Sequence, residues 1–124
     1  MMKKRILSTI ALLALLPTAA WSHSPSPILP LITGAYAPAE AGCEAAAAAF
    51  IYIEDKGIGA NKTASKVLSV KQEGTSYVLD VVWIEAGAEE AEGDPDTVQI
   101  DVENERSFFF SSTASEKTLM TWCD

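Results

Sequence analysis

The sequence predicts an all-β fold, a single antiparallel up-and-down barrel or barrel-like sandwich of about seven strands. Three observations carry this. Tyr77, Leu79, Val81 and Trp83 alternate strictly on one face of the segment from Ser76 to Ile84, the two-residue period of a strand. Strand-like runs recur every roughly 8–12 residues with turn signals between them, as in sandwiches and barrels. No alternation of strands with helical segments appears, which disfavours a parallel α/β sheet.

The elements follow in order. "SPSPILP" (24–30) packs three prolines into seven residues; proline cannot donate to a ladder, so an extended leader is expected and the domain should start near Leu31. "LITGAYAP" reads as a first strand closed by Pro38. "APAEAGCEAAAAA" favours helix by its alanines, but Gly42 and its shortness allow a turn or two at most. "FIYIE" sets Ile51 and Ile53 on one face, Phe50, Tyr52 and Glu54 on the other. "DKGIGANK" reads as a turn, "SKVLSVKQ" as a strand, and Ser76–Ile84 as a long strand apolar on both faces. "EAGAEEAEGDPD" holds six acids in twelve residues and reads as a loop. In "TVQIDVE", Val98, Ile100 and Val102 point inward. "SFFFSS" and "TLMTWC" complete the series.

The first 22 residues are expected to be a secretory signal peptide. Lys3, Lys4 and Arg5 precede an apolar run to Leu16, followed by Pro17 and small residues. That run is shorter than the about 20 apolar residues a spanning helix needs. Cleavage fits after Ser22 or after Ala20. Gly42-Cys43 superficially resembles a lipidation site, but Glu40 and the distant apolar run argue against one. Three of the nine basic residues lie in the signal, leaving six against 17 acidic ones, or −11. Such a surface repels nucleic acid and anionic lipid, so DNA or RNA binding is not expected, nor is a membrane span once the signal is cleaved.

About 102 residues then remain, enough for one small domain (31–124). Its two cysteines, Cys43 and Cys123, allow one intramolecular pairing and are expected to form a disulfide in the oxidising periplasm or outside the cell.

The series "ITGAYAP…GC", "GIGANKTASKVLSV" and closing "TLMTWCD" resembles a group of small bacterial periplasmic proteins. In these, a Gly-x-Trp or Gly-x-Tyr first strand precedes a cysteine and the last strand ends in another. The resemblance implies a fold and a compartment rather than an activity. The chain departs from it in lacking a second cysteine pair: "TASKV" has none, and Trp83 stands near the other expected position. Gly34-x-Tyr36 is also similar to the Gly-x-Trp of lipocalins and of barrel-shaped bacterial protease inhibitors.

Enzyme activity is not expected. The one histidine, His23, sits in the leader, whereas triad chemistry needs a rigidly placed imidazole. Oxidised cysteines are no nucleophiles, and the acids fall in loops or on outward faces. Cleavage after Ala20 would give a Trp-Ser-His terminus able to chelate copper or nickel, but a dedicated site needs further ligands and support. Glu92, Asp94 and Asp96 offer oxygens for calcium at a spacing that matches no EF-hand. No metal or cofactor is therefore expected.

Tyr36, Tyr77, Trp83 and Trp122 either line a ligand cavity or fill the core, and filling suits so small a barrel. Alternation sets Phe109 opposite Phe108 and Phe110, making it an interface candidate. Glu89, Glu90 and Glu92 form a solvated acidic loop that could steer a basic protein partner. The function expected is non-enzymatic binding by a periplasmic or secreted monomer: an inhibitor-like module docking on another envelope or secreted protein. A lipocalin-like carrier of a small apolar ligand is the alternative.

Overall fold

The computed structural model describes residues 24–124. The signal segment, both candidate cleavage sites and His23 lie outside the described residues. Eight strands form one closed barrel in which every strand pairs antiparallel with its neighbour in sequence and the last pairs with the first. They are β1 (Gly34–Pro38), β2 (Ile51–Ile53), β3 (Ile58–Ala60), β4 (Thr63–Glu73), β5 (Ser76–Glu85), β6 (Asp94–Asn104), β7 (Ser107–Ser112) and β8 (Thr118–Cys123). The alanine-rich stretch forms two single 3₁₀ turns, Gly42–Glu44 and Ala47–Ala49.

The alternation read in the sequence is the inside–outside alternation of this barrel. Leu79, Val81, Val98 and Ile100 point inward and are fully buried. They meet Tyr36, Ile53, Ile58, Phe108, Phe110 and Met120 in one core. The eighth strand is the short β3, inside the stretch read as a turn. Two glycines there signal a turn, yet Tyr52 pairs with Gly59 and Gly59 with Ala64. β6 likewise begins at Asp94, inside the predicted loop. Pro95 enters that strand beyond the last β6–β7 pair, Val98 with Ser112, so its missing N–H deprives no β7 carbonyl.

The proline-rich leader is a correction. Residues 24–33 fold into the domain: Pro25 bridges Ile32, the Ser26 N–H donates to the Leu31 carbonyl, and Ile32 N–H donates to the Glu105 carbonyl. Leu29 and Leu31 are 3% and 1% exposed and belong to the core. The buried Ser26 hydroxyl accepts from the Ile28 and Leu29 N–H groups. The prolines do keep this segment out of the main ladder, but its leucines find apolar neighbours, and burial decides its place.

Cys43 and Cys123 are bonded across 80 residues of sequence, with Cα atoms 5.8 Å apart. The bridge pins the Gly42–Glu44 turn to the end of β8, beside β1, where Ala35 faces Cys123.

Tyr36 sits beneath the segment it anchors. Its hydroxyl donates to the Ile32 carbonyl (2.6 Å) and lies 3.2 Å from the Glu105 carbonyl. Burial pushes its pKa up to about 12, with Arg106 opposing. A phenol whose folded pKa is raised keeps the fold fully stable below about pH 10 and loses that contribution as pH rises toward about 12. Tyr36→Phe should cost about 1 kcal/mol at neutral pH by leaving the Ile32 carbonyl without its donor, the Glu105 carbonyl keeping the Ile32 N–H. It should also flatten the loss of stability above pH 10, readable in urea titrations across the alkaline range. An unchanged alkaline slope would refute this role.

Candidate functional site

The aromatic residues considered as cavity or core are distributed as follows. Tyr36 is fully buried and packs its ring 4.9 Å from Phe108. Tyr77, Trp83 and Trp122 are half-buried against the same core. Trp122 donates from Nε1 to the Thr33 carbonyl, and the Arg106 guanidinium lies over its ring at 4.8 Å. Gly34 adopts φ +136°, and a Cβ there would meet Trp122 Nε1 at 2.7 Å. The glycine of the Gly-x-Tyr motif therefore makes room for a tryptophan from the opposite end of the chain.

Trp83 donates from Nε1 to Asp96 at 2.9 Å. The same carboxylate accepts from Thr97 N–H and from both the N–H and the hydroxyl of Thr113. Burial alone would raise the Asp96 pKa, but these donors outweigh it and hold the group below the usual carboxylate value. Asp96 is thus committed to tying β6 to the loop after β7. No group of three or more His, Cys, Asp or Glu side chains suited to a metal occurs among the described residues. Asp101 is also held low, by hydrogen bonds from Gln99 and Ser76 and by Lys117.

Phe109 points outward but is half-buried, between Asp101 and Leu119 on the flanking strands, with the Lys117 ammonium 5.1 Å from its ring centre. It offers less bare aromatic surface than alternation alone suggests.

The acidic loop is ordered rather than merely solvated. Glu90–Glu92 form a 3₁₀ turn, the Glu92 carboxylate accepts from Glu89 N–H, and Lys66 holds Glu90 at 2.9 Å. All three glutamates are exposed. Beside this loop lies a feature the sequence did not disclose. Tyr52, Gly59, Ala64 and Ile84 form a row across β2, β3, β4 and β5. The two small residues in the middle leave a depression between Tyr52 and Ile84. The resulting groove, about 520 Å³, is mainly apolar, with Glu54, Lys62 and Glu85 among its lining residues. Phe50 stacks on Tyr52, ring centres 6.2 Å apart, and backs that wall. The Glu54 carboxylate lies over Gly59, within 3.2 Å of where a Cβ would stand. Only the alternation of Tyr52 opposite Ile51 and Ile53 hinted at an outward tyrosine.

The groove presents two carboxylates, one ammonium and an apolar floor, with no nucleophile paired to a base. Such a surface can accept an apolar side chain flanked by cationic groups. No helix among the described residues is long and apolar enough to cross a membrane. No protein-family model, curated protein or solved structure matches this chain.

Proposed function

We propose that this protein is a non-enzymatic binding module, periplasmic or secreted, that docks on another envelope or secreted protein with a basic surface. One observation carries the reading. Inward-facing positions are filled by the chain's own side chains, while an apolar groove lies on the outer surface beside an ordered acidic loop. A carrier needs the reverse arrangement, an open interior. The disulfide and the secretory type of N-terminus support an oxidising compartment.

In this reading Glu89, Glu90 and Glu92 attract the partner and the groove seats one apolar anchor, steering and anchoring being separate contributions. Affinity capture from a periplasmic extract at low and high salt tests it. The captured protein should be basic and should elute at high salt. Retention should fall about tenfold with Ile84→Glu, which sets a charge in the groove. Replacing the three loop glutamates by glutamine should chiefly slow association. Retention indifferent to salt and to both changes, or a small apolar molecule co-purifying in the mass spectrum, would overturn it.

A further inference from the structure

Strand β4 is 11 residues long, yet β3 pairs with only its first two, Thr63 and Ala64. Past the bulge at Leu68, where the β5 register shifts between Val67 and Ser69, the edge that would face β3 is open. Ladder parity decides which groups point into the opening. Glu73 and Ser76 pair across the two-residue turn Gly74–Thr75 and close it with hydrogen bonds, so Glu73, Lys71 and Ser69 bond to β5. The bond from Val102 N–H to the Thr75 carbonyl, on the other side of β5, fixes the same parity. Val70 and Gln72 therefore aim N–H and C=O outward, and these four groups have no partner among the described residues.

The same stretch carries Leu68 and Val70, 57% and 41% exposed, the large apolar side chains left bare among the described residues. Unmet backbone groups beside bare apolar side chains are what an added strand needs: main-chain bonds hold it and alternate side chains select it. Charge indicates its composition. Lys71 is the basic side chain on the open stretch itself, 76% exposed with its ammonium 3.9 Å from the Glu73 carboxylate, whereas Lys66 is taken up by Glu90. A second copy suits this edge poorly. Pairing Val70 with the second copy's Gln72 sets Lys71 directly opposite its own counterpart, and bulges and edge lysines discourage self-pairing.

We propose that the β4 edge takes up an extended segment of a partner protein as an additional strand, with apolar side chains over Val70 and carboxylates opposite Lys71. This rests on the binding-module reading but not on the Tyr52–Ile84 groove, so either site can fail while the other remains measurable.

The probe is a blocked eight-residue peptide alternating valine and glutamate, with an alternating valine–lysine peptide as control. Titrations are followed by amide shifts of the disulfide-intact protein. The glutamate peptide should bind, with the largest shifts at Val70 and Gln72. Val70→Pro should weaken it about tenfold or more, because proline removes an outward N–H without touching the β4–β5 ladder. Lys71→Glu alters an exposed side chain, leaves the fold intact, and should transfer the preference to the lysine peptide. Failure of the glutamate peptide to bind at millimolar concentration would overturn the proposal, as would equal binding of both peptides. So would a dimer in sedimentation that Val70→Pro dissolves, since a second copy would then fill the edge.

Discussion

Replacing Cys43 and Cys123 together by serine is expected to lower unfolding stability by about 3–5 kcal/mol. The bridge spans 80 residues of sequence, and constraining a loop of that length in the unfolded chain gives such a figure at its upper end. For a domain of this size the thermal midpoint should fall by roughly 15–30 °C. Calorimetry of the double variant, and of the wild-type protein in reductant, should agree. The loss should be focused where β8 meets β1, because Cys123 faces Ala35 there and the bonded turn lies beside that pair. A midpoint within a few degrees of wild type would mean that the pairing of β1 with β8 holds without the covalent tie.

The second large effect concerns the proline-rich segment. Leu31→Ala should destabilise the protein by about 2–5 kcal/mol, the range for truncating a buried leucine, and Leu29→Ala by a similar amount. Both residues are almost wholly excluded from solvent and belong to the central cluster. Urea titration of the single and double variants measures this, and the double loss need not equal the sum because the two residues share one cluster. If residues 24–30 were merely a leader, Leu29→Ala would be neutral, and that outcome would remove the segment from the fold. Its proline spacing can stay unchanged, since Ser26 and the Pro25–Ile32 bridge set the local path.

Much of the architecture was legible because alternation is a local property. Ile51 and Ile53, Leu79 and Val81, Val98 and Ile100 each announce an inward face within a few residues, and the cysteine pair has one solution. What escaped was decided by distant partners. β3 is three residues long, with Gly57 just before it and Gly59 at its centre, where they let Ser65 and the Glu54 carboxylate approach closely; no periodicity survives at that length. Leu29 was masked by the prolines around it, whose local preference is extended whether or not the segment is covered. The row that shapes the groove takes one residue from each of four strands, so none of the four carries a signal alone. The open edge of β4 follows from the mismatch between three residues in β3 and eleven in β4.

The ring order has a consequence for how the chain reaches this state. β4 to β7 pair with immediate neighbours and can assemble as a local meander. β8, however, bonds both β7 and β1, bringing Cys123 opposite Ala35 from the far end of the sequence. The barrel therefore cannot close, nor the disulfide form, until residue 123 is available. Until then β1 lacks its β8 partner. Joining β8 to β1 is thus the pairing of longest sequence range in the barrel, and the Cys43–Cys123 bond spans the same closure.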